Sequence, residues 1–327
     1  MLRRARIVLV FLLIGCADAP RDNPLDPLSP GYVSPEGSLT GTVLVKNQGT
    51  PVPSARVQIQ SAGIFVLSDS SGTFTFSRLS PGQITVVCTK DNFTPDSQRV
   101  TLNGGQTSVT FSLNGAPVVL SQKILSRKID QYYPSPQYYV DVFADMSDPN
   151  GITDLDSVYF CAGSLWFPMT YVPSSKMFET RVFKYDLPTN TIQWLVGKPL
   201  TIVSMDRQRA VNTGEPFYVL RVIETPPTPV SPSSVRNDTT DGTPLFTWQA
   251  PSVSYTYTNT VTISRVDQGT QTVVWEAADL SPVSETYQYP QTGTPSPLTT
   301  GNYVWAVTLV DEFGNSCRSK ESSFAVR

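Results

Sequence analysis

An acidic segment between residues 145 and 156 carries the side chains best suited to hold an ion. Five of its twelve residues have carboxylate or amide oxygens, and Gly151 interrupts them. Hard cations such as Ca²⁺ prefer oxygen ligands of this kind, and the predicted ligands are Asp148, Asn150 and Asp154. The spacing is not that of an EF-hand, because no glutamate closes the segment. The alternative is an Asx-turn loop whose side chains hydrogen-bond their own backbone.

Aromatic side chains are the second group that could bind a ligand. Exposed flat rings stack on sugar faces and are enriched at protein interfaces. The candidates for stacking are Trp166, Tyr171, Tyr255 and Tyr257. The alternative is structural, because an inward ring belongs to a core and an outward ring can pack at an edge or between domains.

The sequence contains no histidine, which narrows the chemistry considerably. Ser-His-Asp and Cys-His mechanisms and the common zinc sites are excluded. Neither a G-x-S-x-G nor a Walker-type motif is present. A hydrolase would therefore need two carboxylates that converge in a cleft, and the sequence singles out no such pair. We expect a protein that is not an enzyme and that needs no cofactor, with calcium as the one candidate ion.

Three cysteines besides Cys16 lie far apart, at Cys88, Cys161 and Cys317. One isolated thiol per domain is not a disulfide framework. Cys88 ends the alternating run 84–88, so it is predicted to be a small buried apolar residue. The alternative for Cys161 and Cys317 is a disulfide bridge between them.

The charge balance argues against nucleic acid as a partner. The chain has 24 basic and 27 acidic residues, and removal of the basic residues of its first fifteen leaves 21 against 27. A mildly acidic chain without a basic run is unsuited to a phosphate backbone.

The first fifteen residues are built like an export signal. A basic start precedes the apolar run Ile7 to Ile14, and the small Gly15 follows it. The apolar run is too short to span a bilayer, which takes about 20 residues. Its end, Leu13-Ile14-Gly15-Cys16, resembles the lipobox of bacterial lipoproteins. A plain signal peptide or an uncleaved anchor is the alternative.

The lipoprotein resemblance implies cleavage before Cys16 and lipidation of its thiol, so that the protein reaches a membrane through this anchor. It also implies a location in the bacterial cell envelope. Ala17 stands where an aspartate favours the inner membrane in some bacteria, which points to the outer membrane. Residues 16–37 are rich in Pro and Asp and are predicted to be a lipidated tether.

From residue 38 onward, short alternating runs and turn signals predict β-sandwiches. The segments Gly41-Thr-Val43, Asp69-Ser-Ser-Gly72-Thr-Phe74 and Leu79-x-Pro-Gly82, with others between 38 and 114, resemble the carboxypeptidase-regulatory-like domain. This resemblance implies a non-enzymatic, transthyretin-like sandwich in which the aspartate segment is a hairpin turn followed by a core aromatic residue.

Two further sandwiches are predicted. Residues 115–225, with the segment Asp148-Pro-Asn-Gly-Ile-Thr-Asp-Leu155, resemble the immunoglobulin-like domains of bacterial surface proteins. Their strands are predicted at 138–144, 157–161, 178–184, 191–196, 200–205 and 217–223, with Phe160 and Phe178 in the core. Residues 226–327 resemble a fibronectin type III module. Within them, Leu298 to Tyr303 resembles a tyrosine corner, in which the tyrosine hydroxyl forms a hydrogen bond with the backbone a few residues upstream.

The predicted fold class is therefore all-β, with three β-sandwich domains in tandem after a lipoprotein signal peptide. The predicted function is a non-catalytic cell-envelope lipoprotein that acts as a structural spacer or as an adhesion and protein-interaction module. The alternative is a glycan-binding surface lipoprotein of a polysaccharide uptake system. The expected partners are accordingly envelope proteins or glycans.

Overall fold

Strands make up nearly all the regular structure, as the alternating sequence patterns predict. The computed structural model describes residues 26, 28–31, 36–132, 135–290 and 296–327. Strands account for 57% of the structure, and three short 3-10 helices are the helical elements in these ranges. The all-β fold class is thus confirmed. No helix within the described ranges has the length and apolar character needed to cross a bilayer. The predicted signal peptide and Cys16 lie outside the described residues.

The first compact unit, Met1–Gly115, contains an N-terminal sandwich of seven strands. One sheet has the order β4-β1-β7, with β1 and β7 parallel, and the other has the order β3-β2-β5-β6. Apolar residues of both sheets form one core. Its strands are β1 (Gly37–Val45), β2 (Arg56–Ile59), β3 (Ile64–Leu67), β4 (Thr73–Leu79), β5 (Gly82–Thr89), β6 (Asp96–Leu102) and β7 (Gly105–Leu113).

The hairpin before β4 has the predicted form. The Asp69 carboxylate accepts hydrogen bonds from the backbone N–H groups of Ser71 at 2.9 Å and Thr73 at 2.8 Å. The Ser71 hydroxyl also donates to this carboxylate, at 2.7 Å, and is the largest cause that keeps the pKa of Asp69 below its usual value; the two backbone hydrogen bonds lower the pKa further. Gly72 takes a positive φ of 74°, and Phe74 is buried in the core.

The second compact unit, Ala116–Arg327, begins with a middle sandwich. Its two sheets have the orders β12-β13-β9-β8 and β11-β10-β14-β15, and they share one core. The strands are β8 (Val118–Ile129), β9 (Gln137–Ser147), β10 (Leu155–Ala162), β11 (Leu165–Pro168), β12 (Thr170–Val172), β13 (Met177–Phe183), β14 (Leu200–Asp206) and β15 (Val211–Thr213). The 3-10 helices are Ile152–Asp154, Lys184–Asp186 and Ile192–Leu195.

Two strands predicted in the middle sandwich are wrong. The segment 191–196 is the 3-10 helix Ile192–Leu195, because the hydroxyl of Thr191 accepts a hydrogen bond from the backbone N–H of Gln193 and caps a turn. The segment 217–223 makes only isolated bridges, at Phe217 and Val219. Phe160 is buried as predicted, whereas Phe178 is half-buried.

The C-terminal sandwich has its own core, which includes Phe246, Trp248 and Trp305. Its tyrosine corner is confirmed, because the Tyr303 hydroxyl donates to the carbonyl of Thr299 at 2.8 Å. The strands are β16 (Thr228–Ser231), β17 (Thr239–Thr240), β18 (Leu245–Gln249), β19 (Tyr257–Asp267), β20 (Thr270–Leu280), β21 (Thr286–Gln288), β22 (Gly301–Asp311), β23 (Ser316–Arg318) and β24 (Ser322–Val326).

One ten-stranded sheet runs through the middle and C-terminal sandwiches. Its main path is β12-β13-β9-β8-β23-β22-β19-β20, and the crossing point is the parallel pairing of β8 with β23. There Arg127, Lys128 and Ile129 pair with Ser316, Cys317 and Arg318. The two cores stay separate within one compact unit, so the domain boundary predicted at 225 remains a prediction.

Candidate functional site

Three aspartates from distant parts of the sequence meet at one end of the middle sandwich. Asp148 follows β9, Asp154 ends the 3-10 helix before β10, and Asp206 is the last residue of β14. One carboxylate oxygen of each lies within 4.8 Å of those of the other two. All three residues are buried, at 8%, 7% and 1% exposure respectively. The carboxylates converge, but in the interior rather than in a cleft open to a substrate.

The backbone holds the cluster in place from both sheets. The loop after β9 turns at Gly151, whose N–H donates to the Asp148 carbonyl at 2.9 Å. The carbonyl of Asp154 accepts from the N–H of Arg207 at 2.9 Å, which ties this loop to the end of β14. The Asp206 carboxylate in turn accepts from the N–H of Ala210 at 2.7 Å.

The two oxygens of Asp148 have different surroundings. Oδ1 accepts a hydrogen bond from the backbone N–H of Asn150 at 2.7 Å. This bond forms an Asx turn, as expected if the loop only caps its own backbone. Oδ2 is buried and has no hydrogen-bond partner among the described residues. An Asx turn alone therefore accounts for only one of the two oxygens.

The surroundings raise the pKa of Asp148 to about 6. Burial is the main cause, because a charged carboxylate loses its hydration there. The hydrogen bond from Asn150 acts in the opposite direction, and the negative charges of Asp154 and Asp206 raise the pKa further.

The structure brings together two of the three predicted ligands and adds one that the sequence did not indicate. Asp148 and Asp154 are in the cluster, and Asn150 is buried beside Asp148. Asp206 is 52 residues beyond Asp154 and reaches the site through the pairing of β14 with β10. In the sequence, Asp206 is visible only as an aspartate at the end of an apolar strand. The register of β14 against β10, which brings it to the site, cannot be read from the sequence.

Trp166 and Tyr171 remain candidates for ligand stacking because both are exposed, at 55% and 39%. Trp166 lies on β11 with its ring edge-on to Tyr159, at 5.7 Å between centroids. Tyr171 lies on β12 against Phe178, at 5.3 Å. Strands β11 and β12 belong to different sheets, so the two rings do not form one continuous strip.

Tyr255 and Tyr257 lie instead between the middle and C-terminal sandwiches. Tyr257 is only 9% exposed, so its ring cannot serve as a stacking surface, and that part of the prediction is corrected. The Arg221 guanidinium lies 4.0 Å from the centre of the Tyr255 ring and covers it. Both rings pack with the small core formed by Ile223, Leu309 and Cys317.

Buried polar groups join the two sandwiches beside this core. The Asn315 amide oxygen accepts from the backbone N–H of Ser126 on β8, at 2.8 Å. Its amide nitrogen donates to the carboxylate of Asp311 at 3.1 Å. Ser126, Asn315 and Asp311 are all buried. Their polar groups have lost contact with water, and the hydrogen bonds across and beside the junction take its place.

Arg221 adds a charged connection to the same junction. Its guanidinium donates to Asp311 at 2.9 Å and to both oxygens of Glu312, at 2.9 and 3.1 Å. The side chain of Asp311 is fully buried and that of Arg221 is 24% exposed, so water reaches this ion pair only from the arginine side. The Arg221 carbonyl accepts from the hydroxyl of Ser126 at 2.8 Å. The sequence does not reveal these contacts, because Arg221 lies about 90 residues from Ser126 on one side and from Asp311 and Glu312 on the other.

The three described cysteines are free and buried. Cys161 and Cys317 therefore form no bridge with each other, because both are thiols in this structure. Burial raises the pKa to about 12 for Cys88 and Cys317 and to about 11 for Cys161. Cys88 is a buried core residue, as predicted.

Residues 38–114 match the carboxypeptidase regulatory-like domain family, over the range that the sequence landmarks indicate. Domains of this family are non-catalytic, and the predicted domain content is confirmed for this part of the chain. No curated protein matches the chain in sequence.

Several solved structures are similar to this chain at low identity. The major pilin subunit of Bacillus cereus is 10% identical, covers 89% of this chain and 95% of its own, and has a TM-score of 0.31. The fibronectin(III)-like modules of Clostridium thermocellum CbhA are 15% identical, with coverages of 64% and 92% and a TM-score of 0.30. A Ca²⁺-stabilized adhesin of an Antarctic bacterium is 10% identical, with coverages of 90% and 75% and a TM-score of 0.23. Such distant similarities do not indicate a function for this chain.

Proposed function

We propose that this protein is a non-catalytic spacer or interaction module of the bacterial cell envelope, and that residues 116–327 form its stiff arm. The junction between the two sandwiches is the observation that carries the proposal. A sheet that continues through β8 and β23 resists bending, and buried hydrogen bonds prevent slippage between the sandwiches. Two domains connected only by a flexible linker would reorient freely.

The proposal includes a lipid anchor at Cys16 and a location at the outer membrane. The basic start, the short apolar run and the residues before Cys16 support the anchor, and Ala17 supports the outer membrane. The test is detergent-phase partition of the full chain, expressed with residues 1–15, together with mass spectrometry of its N-terminal peptide. We expect partition into detergent and a lipid mass on Cys16, both lost in Cys16→Ala. An unmodified Cys16 would contradict the anchor.

A non-catalytic role is supported by the arrangement of the acidic residues. The three carboxylates that converge are buried, so no substrate reaches them from solvent. The chain also lacks histidine for acid–base catalysis.

The alternative of glycan binding depends on exposed aromatic rings. Only Trp166 and Tyr171 of the four candidates present such surfaces, and they belong to different sheets. This separation favours protein contacts over a sugar-binding strip.

A pull-down compares these two roles. The chain from Ala17 onward is immobilised and exposed to solubilised envelope proteins and to a panel of polysaccharides. We expect capture of a specific envelope protein and no retained polysaccharide. Polysaccharide retention that is lost in Trp166→Ala but kept in Tyr185→Ala, which removes another exposed ring, would replace the proposal by the glycan-binding role.

A further inference from the structure

The three-aspartate cluster connects the two sheets of the middle sandwich. Asp148 continues from β9 in one sheet, whereas Asp154 and Asp206 adjoin β10 and β14 in the other. One oxygen of each lies within 4.8 Å of the others. Oxygens bound to one Ca²⁺ at 2.3–2.6 Å can be at most about 5 Å apart, so this separation suits a shared ion.

The unpartnered oxygen of Asp148 is the second observation that points to a ligand. Oδ2 is buried, and no donor contacts it in the part of the chain that the structure describes. A buried carboxylate oxygen without a donor lowers the stability of the fold, because it has lost its hydrogen bonds to water and forms no others. A cation would supply the missing interaction and offset the repulsion among the three carboxylates.

We propose that Asp148, Asp154 and Asp206 bind one calcium ion, which fastens the loop after β9 to the end of β14. An all-oxygen ligand set suits Ca²⁺, whose coordination of six to eight oxygens tolerates irregular geometry. Three carboxylates provide between three and six oxygens. Backbone carbonyls, the Asn150 amide or water complete the shell. This proposal is independent of the spacer role.

The site lies at the end of β8 that is remote from the junction. Ser147, next to Asp148, pairs with Val118 at the start of β8, whereas β8 meets β23 at residues 127–129. Calcium and the junction would therefore fix opposite ends of the middle sandwich.

Calorimetric titration tests the site directly. The chain from Ala17 onward is stripped with EDTA and titrated with CaCl₂. We expect one ion per chain, with affinity reduced at least about tenfold in Asp206→Asn and in Asp148→Asn, because each loses one ligand charge. Both variants keep the side-chain oxygen that accepts a backbone N–H, and circular dichroism checks their fold. The matched control is Asp156→Asn, an exposed aspartate of the same segment, and it should bind as the wild type does.

Hydrogen exchange gives a local readout of the same binding. Calcium should slow exchange in peptides that cover 148–155 and 206–210, while peptides of the N-terminal sandwich should not change. Absence of binding at millimolar calcium, or wild-type affinity in both ligand variants, would overturn the proposal. Magnesium should bind at least about tenfold more weakly, and equal or tighter binding would overturn the assignment to calcium.

Discussion

Tyr303 illustrates how single buried hydroxyls stabilise the C-terminal sandwich. Its ring stacks on Phe324 at 5.5 Å, and its hydroxyl donates to the Thr299 carbonyl. Tyr303→Phe keeps the ring contact and removes the hydrogen bond, so we expect a loss of about 1 kcal/mol in unfolding free energy. Urea unfolding measures it. Tyr185→Phe removes an exposed hydroxyl and should change the unfolding free energy by no more than about 0.5 kcal/mol. Equal effects of the two changes would contradict the role of the corner.

Asp148 should make the stability of the calcium-free protein depend on pH. In the unfolded chain the Asp148 carboxyl has its ordinary pKa of 3.8, whereas burial in the folded protein raises that pKa to about 6. Between these values the folded state binds more protons, so its unfolding free energy falls as the pH rises. Asp148→Asn lacks this decline. Its stability relative to wild type in EDTA should therefore increase from pH 4 to pH 6 and stay constant above.

Urea unfolding of both proteins at several pH values provides the measurement. The difference between wild type and variant reports the titration of Asp148 together with its coupling to Asp154 and Asp206, because the other titrating groups are common to both proteins. A difference that does not vary with pH would show that the Asp148 carboxyl titrates normally.

At the scale of elements, the hairpin before β4 depends on a glycine that no other residue replaces easily. Gly72 has a φ of 74°, and a Cβ added there would lie 2.5 Å from the Val43 carbonyl oxygen. Gly63 has a similar φ of 67° but open space around it. Gly63→Ala should cost about 1 kcal/mol of unfolding free energy for the left-handed backbone.

Gly72→Ala should cost at least about 1–2 kcal/mol more, because backbone must move to relieve the contact. Urea unfolding of the two variants isolates the contribution of the close approach. Equal destabilisation by Gly72→Ala and Gly63→Ala would mean that the hairpin backbone accommodates the added Cβ at residue 72 without a further loss of unfolding free energy.

Strands could be predicted from the sequence where one face is buried and the other is not. β9 and β14 alternate in burial over most of their length, and both were predicted. β8 was missed because its burial does not alternate: none of its residues before Leu125 is buried, and the adjacent Leu125 and Ser126 are both buried where the strand approaches the C-terminal sandwich.

The candidate calcium site could be predicted only in part for a related reason. Asp148 and Asp154 lie within one loop, so their spacing is visible in the sequence. Asp206 joins them through strand register, and the junction residues Ser126 and Asn315 meet through pairing across 189 positions. Long-range register depends on complementary packing that a single sequence does not reveal.

At the scale of the molecule, Asn315 holds the middle and C-terminal sandwiches together. Asn315→Ala removes the acceptor for the Ser126 N–H and the donor to Asp311, and it leaves buried groups unsatisfied. We expect a loss of about 2–3 kcal/mol in unfolding free energy and greater mobility between the sandwiches. Asn302→Ala, at an exposed position of β22, is the matched control and should change neither quantity. Urea unfolding measures the loss in unfolding free energy, and NMR relaxation of backbone amides measures the mobility between the sandwiches.

Residual dipolar couplings of backbone amides test the stiff arm most directly. They are measured for the chain from Ala17 onward and fitted separately over residues 118–223 and 228–327. We predict one alignment tensor, with the same orientation and magnitude in both sandwiches, and two different tensors in Asn315→Ala. Two different tensors in the wild type would mean that the sandwiches reorient independently, and this would contradict the spacer role.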